Sequence, residues 1–191
     1  MPTTRLEMFT DGVIAILITI MVLEFKTPHE ASLAALRPLV PMLLSYLLSF
    51  VFLGIYWTNH HHLMHITECV SGSVLWANLH LLFWLSLVPF TTAWMGEHYH
   101  EAIPVATYGM VQLGAGLAWT ILYIRLTRQP ANVKLRESVG PHWKAHLSHG
   151  AYLTALPIAF FVAPMLSIGI YVAVALAWVV PYRRIESKVY R

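Results

Sequence analysis

Histidine is the residue with the most evident chemical potential in this chain, which contains 11 of them among 191 residues. Seven of them form two groups in the sequence: His60, His61, His62 and His65, and further along His142, His146 and His149. Imidazole nitrogen binds iron, copper and zinc, and imidazole changes charge near neutral pH. The histidines therefore raise two possibilities, a metal site or a group that responds to protons.

Two carboxylates, Glu7 and Asp11, interrupt the first apolar segment, and Asp11 lies deeper in it. Thr4 and Glu7 have capping-box spacing, which predicts a helix that begins before the membrane and places Asp11 about 10 Å beyond its start. An ionisable group at that depth needs a partner and is a functional candidate. Arg5 lies on a different face of the helix, so we expect the partner of Asp11 on another helix. The simpler alternative is that Asp11 only marks the membrane boundary.

The elements that must position these residues are transmembrane helices. The composition is 58% hydrophobic and 11% charged, whereas soluble domains carry roughly 25% charged residues. A helix needs about 20 apolar residues to cross the hydrocarbon core. We predict an all-α membrane protein, one domain over residues 1–191, with six spans at residues 6–25, 39–57, 70–94, 103–126, 151–163 and 165–180.

Basic residues predict the orientation of these spans. Six spans place both termini on one side, and of the 12 lysines and arginines all but Lys26 and Arg37 fall on that side. Because basic loops remain cytoplasmic, we predict an inner-membrane protein with cytoplasmic termini. The net charge of +3 does not indicate nucleic acid binding, since the basic residues lie in separate loops.

Two stripes run along the predicted first helix beyond Asp11. One contains small residues suited to close helix contact: Gly12, Ala15 and Thr19. The other is apolar and has helical spacing: Ile16, Ile20 and Leu23. Taken alone, the apolar stripe predicts contact with lipid or a neighbouring helix rather than a pore.

The run Arg5-x-x-x-Phe9-Thr10-Asp11-Gly12 resembles the signature of the transmembrane protein 175 family of potassium channels, in its bacterial six-span form. That signature is an arginine, three residues and Phe-Ser-Asp, with glycine next in bacterial members. Here Thr10 replaces the serine and keeps the hydroxyl.

Three further motifs agree with this resemblance, which covers roughly residues 4–92. Trp57-x-x-His60-His61 is similar to the Trp-x-x-His-His pattern of the family, and Asn78 matches a family asparagine. The stretch from Leu87 to Thr91 is similar to Leu-Leu-Pro-Phe-Pro-Thr, with threonine in place of the second proline. The four motifs occur in the family's order on the expected spans.

The resemblance implies a homo-oligomer, a tetramer in the bacterial form, whose first helices line one potassium-conducting pore. The narrowest ring in the family lies five positions after the motif aspartate, which is Ile16 here. Ile20 and Leu23 would form further layers, with the Thr19 hydroxyl close by. A narrow apolar ring closes a pore by dewetting, and its preference for potassium over sodium should be modest. The partners are then the bilayer and potassium, with no enzymatic cofactor.

An inner polar cluster would hold the first helix in place, because satisfied buried polar groups rigidify a site. The resemblance assigns this role to five residues: Arg5, Asp11, Trp57, His60 and Asn78.

Two alternatives from the histidines stay open at this point. Membrane di-iron desaturases and hydroxylases carry histidine boxes of comparable appearance, but the carboxylates near these loops are few, namely Glu68 and Glu137. A proton channel or proton-coupled carrier would instead use histidine titration, and His80 lies well inside the third span. We favour a hydrogen-bonded packing role for His80.

Overall fold

The computed structural model describes residues 3–138 and 143–179, in which all regular structure is helical. His142 and the basic residues after position 180, which carry part of the predicted orientation, lie outside the described residues. The helices are α1 (Thr4–Leu23), α2 (Val40–Ile66), α3 (Gly72–Ser86), α4 (Val88–Glu97), α5 (Ala102–Thr127), α6 (Val133–Ser138), α7 (Trp143–Phe161) and α8 (Pro164–Val179), with a 3-10 helix at Leu33–Leu39 before α2.

The all-α prediction is confirmed, and six helical segments correspond to the six predicted spans. Four stretches are long and apolar enough to cross a membrane: Thr4–Leu23, Leu33–Ile66, Gly72–Glu97 and Ala102–Thr127. The last two segments, α7 and α8, are shorter, with 19 and 16 residues. A short apolar helix is accommodated by local thinning of the bilayer or by its flanking residues.

The third span is divided at Leu87 into α3 and α4. Pro89 lies in the first turn of α4, where its missing N–H leaves no helical hydrogen bond unmade. Leu87 itself keeps helical torsion angles and its N–H reaches the carbonyl of Trp84. The division therefore changes the direction of the chain without exposing backbone groups to lipid.

The fifth span begins earlier than predicted. We expected residues 151–163, but α7 starts at Trp143. Its first two turns are helical although they contain the polar Lys144 and His146, which hydropathy does not report as part of a span. The predicted division at Pro164 is confirmed, since this proline is the first residue of α8. Proline is favoured there because its fixed φ suits the start of a helix.

Within the described residues, the interior consists of two apolar clusters that share α2, α4 and α5. One also contains residues of α1, α3 and α6, and the other also contains residues of α7 and α8. Small residues bring α5 close to its neighbours, as a Cβ added at Gly114 would overlap the Trp84 ring. Close approach of this kind is the main source of helix association in lipid.

On the side of the bundle where α2 ends, Asn132 fixes the connecting loops to each other. Its side chain is fully buried and accepts hydrogen bonds from the N–H groups of Glu68 and Cys69, at 3.1 and 2.9 Å. It donates in turn to the carbonyls of Cys69 and Leu126. One amide side chain thus bonds to three backbone groups of the loop after α2 and to the Leu126 carbonyl in the last turn of α5.

Candidate functional site

Helix α1 has one buried and one exposed face. The buried face packs against the rest of the bundle and contains Leu6, Thr10, Ile14, Leu17 and Met21. Opposite to it, Ile16 is 57% exposed, Ile20 is 40% exposed and Leu23 is 78% exposed. The sequence-predicted apolar stripe therefore lies on the surface of the single subunit, where a second copy of the chain or lipid must cover it.

Thr19 shares this exposed face. Its hydroxyl donates to the carbonyls of Ala15 and Ile16, at 3.1 and 2.9 Å. Because only the hydroxyl proton is used within the helix, both lone pairs of the oxygen can still accept. Thr19 is therefore suited to accept from water or to contact a cation.

A buried polar bridge joins α1, α2 and α3. The Asn78 amide nitrogen donates to Thr10 Oγ1 at 2.9 Å, and His60 Nε2 lies 3.0 Å from Asn78 Oδ1. Thr10 and Asn78 are fully buried, and His60 is 1% exposed. Since the amide oxygen only accepts, His60 must carry its proton on Nε2 and donate. No partner of His60 Nδ1 is found within the described residues.

Two further contacts tie α1 to α2 along the border of the exposed face. Trp57 Nε1 donates to Asp11 Oδ1 at 3.0 Å, so the expectation that Asp11 has its partner on another helix is confirmed. One turn earlier, His61 Nδ1 lies 2.9 Å from Glu7 Oε1. Glu7 therefore bonds to a residue of α2 and not to the start of its own helix. Thr3, at the N-cap of α1, makes no side-chain cap bond. The predicted capping box of Thr4 and Glu7 is wrong for this reason.

The other motif residues lie at or near the surface of the subunit. Arg5 is exposed, and neither an ion pair nor a hydrogen bond of its side chain is found in the part of the chain that the structure describes. Phe9 is exposed, and a Cβ added at Gly12 would meet no other atom within 4 Å. The structure therefore brings together four of the five predicted cluster residues and leaves Arg5 apart from them.

The histidine groups do not assemble a metal site within the described residues, where no three His, Cys, Asp or Glu side chains are placed to hold one ion. Glu68, one of the two nearby carboxylates, pairs with Lys134 at 3.0 Å. His80 accepts a hydrogen bond from Trp84 Nε1 at 3.0 Å on its own helix. This geometry fits the packing role that we favoured for His80.

Sequence reasoning missed the contact between Glu7 and His61. The signal was present, because Glu7 precedes Asp11 by four residues and His61 follows Trp57 by four residues. Residues four apart share a helix face. The contact between Asp11 and Trp57 therefore brings Glu7 and His61 within reach of each other.

Comparison with known proteins places this geometry among potassium channels. The family model described as "Endosomal/lysosomal potassium channel TMEM175" matches residues 5–89. A potassium channel of Chryseobacterium sp. (strain P1-3) is 48% identical over 184 residues, covering 96% of this chain and 95% of the relative. A potassium channel of Chamaesiphon minutus is 31% identical and covers 91% and 92% of the two chains.

Among solved structures, the fold is similar to the crystal structure of a lysosomal potassium-selective channel TMEM175 homolog from Chamaesiphon minutus. The TM-score is 0.78 at 26% identity, with 93% of this chain and 96% of that chain covered. The likeness extends beyond residue 92 to the whole helical arrangement.

The buried bridge generates the first prediction. Replacing Asn78→Leu should lower the free energy of unfolding by ~1–3 kcal/mol, because it leaves the His60 N–H without an acceptor in an apolar environment. The measurement is the thermal unfolding midpoint of the purified protein in detergent. Trp57→Phe, which removes one donor at the more exposed Asp11, should cost less. Equal losses for the two variants would contradict a structural role for the bridge.

Proposed function

Because this chain belongs to the TMEM175 family of potassium channels, we propose that it conducts potassium through a pore lined by α1 from four copies of the subunit. The relatives that it matches over nearly their full length are named potassium channels. Homologues and fold are those of channels and not of enzymes, which excludes the metalloenzyme alternative.

The observation that carries the pore proposal is the exposed apolar face of α1. Ile16, Ile20 and Leu23 lie on the exposed side of α1, whereas Thr10 is turned into the bundle. When several copies turn this face toward a shared axis, each side chain is repeated as a ring. The number four comes from the family resemblance.

In this arrangement Ile16 forms the neck. A ring of isoleucines presents no polar atom to an ion, so a narrow neck expels water and stops conduction. On widening, it passes the cation that loses hydration at the lower cost, which is potassium rather than sodium. The Thr19 oxygens, one turn further along each helix, provide acceptors that add to this preference. Under this proposal the protein needs no resident cofactor, and potassium is the permeant ion.

The polar contacts between α1 and α2 set the neck radius in this proposal. The bridge from Thr10 through Asn78 to His60 fixes the rotation of α1, and the Asp11 and Glu7 contacts fix its position relative to α2. Rotation of α1 by one residue, about 100°, would carry Ile16 out of the ring. We assign Arg5, Phe9 and Gly12 to the same inner end of the pore, where Arg5 is available to a neighbouring copy.

The membrane orientation belongs to the same proposal. Both termini and the connections from α2 to α3 and from α5 to α7 face the cytoplasm of the cell, with the protein in the inner membrane. The charge distribution supports this, since Lys26 and Arg37 are the only basic residues in the three connections assigned to the other side.

Ile16→Asn tests the neck. The variant should raise potassium flux into liposomes several-fold and reduce the discrimination against sodium, because an amide side chain keeps the neck wet. Ion-selective flux assays on the purified protein measure both quantities. Ile121→Asn is the matched control, since Ile121 is 40% exposed on α5 and is outside the proposed pore. Unchanged flux and selectivity in a normally folded Ile16→Asn protein would contradict the assignment.

The orientation predicts which introduced cysteines react from outside intact cells. Cys69 is the single cysteine, so Cys69→Ser gives a thiol-free background. In that background, Glu101→Cys between α4 and α5 should react with a membrane-impermeant maleimide added to intact cells whose outer envelope is permeable. Arg128→Cys at the end of α5 should react only after the inner membrane is opened. The reverse pattern would overturn the proposed orientation.

A further inference from the structure

A cavity inside each subunit lies apart from α1. It lies between α2, α5, α7 and α8 and is open on one side. Its interior has a volume of about 40 Å³, and the space that includes its open mouth is about 460 Å³. Five aromatic side chains form most of its wall: Phe52, Tyr56, Trp119, Tyr152 and Trp178. The ring centroids of Tyr56 and Trp119 are 6.2 Å apart at a steep angle, so these rings present flat faces and edges from different sides.

Three polar side chains on this wall have unused hydrogen-bonding capacity. No hydrogen bond to the Tyr56 hydroxyl or to the His149 ring is found among residues 3–138 and 143–179. Asn59 uses one amide hydrogen on the Ile55 carbonyl at 2.8 Å and keeps the other. By contrast, Ser148 is already engaged, because it donates to the Lys144 carbonyl and accepts from Trp178 Nε1.

The polar groups converge rather than scatter. A Cβ built on Gly116 would lie 3.0 Å from His149 Nε2 and 3.9 Å from the Tyr56 hydroxyl. His149 therefore packs closely against Gly116, and the Tyr56 hydroxyl lies near the same position, so the two polar groups border one part of the pocket. A few convergent polar groups within aromatic walls are typical of small-molecule sites.

The chemistry of the wall selects the class of ligand. No Asp, Glu, Lys or Arg is among the described residues that line the cavity, so an ionic ligand finds no counter-charge there. A lipid tail would leave Tyr56, Asn59 and His149 unpaired at a cost. A neutral planar ring with acceptor oxygens would stack on the aromatic walls and receive hydrogen bonds from all three donors.

We propose that this cavity binds a neutral, planar, carbonyl-bearing ring, the chemistry of a membrane quinone head. The cavity occupies the first three turns of α7, from Ala145 to Tyr152, and reaches Trp178 near the end of α8. It therefore lies toward one surface of the membrane, at a depth that amphiphiles with a polar ring and an apolar tail occupy.

The occupant would act on the channel through α2. Tyr56 and Asn59 border the cavity, and their sequence neighbours Trp57 and His60 hold α1 and α3. Consecutive helical residues point about 100° apart, so the same two turns of α2 contact the ligand on one face and the pore helix on another. This effect on conduction rests on the proposed pore, whereas binding itself does not.

The test uses duroquinone, whose fully substituted ring offers no position for addition of the Cys69 thiol. Binding is measured as saturable quenching of tryptophan fluorescence in detergent, since Trp119 and Trp178 are part of the wall. Ala145→Leu fills the cavity. Gly150→Leu is the matched control on the same helix, because a Cβ there meets no other atom within 4 Å. Tyr56→Phe and His149→Phe each remove one donor while keeping a ring.

We expect saturable quenching in the wild type and in Gly150→Leu, its loss in Ala145→Leu, and an affinity ~2- to 10-fold weaker when one donor is removed. Durene, the hydrocarbon of the same shape without carbonyls, should compete about tenfold less well. Non-saturable quenching that is equal in all variants would overturn the site. Equal competition by durene would overturn the assignment of a carbonyl-bearing ligand.

Potassium flux separates this inference from the pore proposal. Duroquinone should change flux through the wild type and Gly150→Leu and leave Ala145→Leu unaffected. Saturable binding without any change in flux would overturn the coupling through α2. Saturable binding to a protein that passes no potassium at all would instead contradict the proposed function and leave the binding site standing.

Discussion

The hydrogen-bonded bridge from Thr10 through Asn78 to His60 is the interaction on which the rest of the structure depends. In lipid, apolar side chains gain little by moving from contact with tails to contact with another helix, so packing and polar bonds hold helices in register. The bridge is the place where α1, α2 and α3 meet through polar atoms that are fully or almost fully buried. It fixes which face of α1 is turned inward, and therefore which face is left exposed on the surface of the subunit.

As a consequence, the two faces of the 20-residue helix α1 have different roles. One face carries the bonds and the tight packing, and the other carries exposed branched and small side chains around Ile16. A charged or hydroxyl-rich pore would stabilise ions by coordination, whereas an apolar pore controls them through the free energy of keeping water in a narrow space. Control of that kind is sensitive to radius, so the proposed pore requires that its lining helix be held rigidly.

Much of the fold and of the polar site could be predicted from the sequence because it depends on local residue patterns. Hydropathy predicted the spans, and the depth of Asp11 predicted a partner on another helix, which is Trp57. The start of α7 was missed because Lys144 and His146 extend the helix beyond its apolar part, where hydropathy no longer reports helix. The role of Asn132 was also missed, since it depends on two loops and the end of α5 meeting in space.

The aromatic cavity could not be predicted for a similar reason. Its wall is assembled from four helices, and in the sequence of each helix the contributing residues resemble ordinary packing residues. The separation of Arg5 from the bonded cluster likewise depends on geometry. Motif spacing predicts which residues share a helix face, but it does not predict whether a long side chain turns toward its own subunit or away from it.

Thiol cross-linking at position 16 tests the central claim most directly. In a Cys69→Ser background, cysteines introduced as Ile16→Cys and treated with a mild oxidant should join subunits into covalent dimers, because a disulfide requires Cα atoms within about 7 Å and only α1 helices gathered on one axis approach so closely. Ile121→Cys, exposed on α5, measures chance collisions in the membrane. If the cysteines at position 16 cross-link no faster than those at position 121, α1 does not line a shared pore.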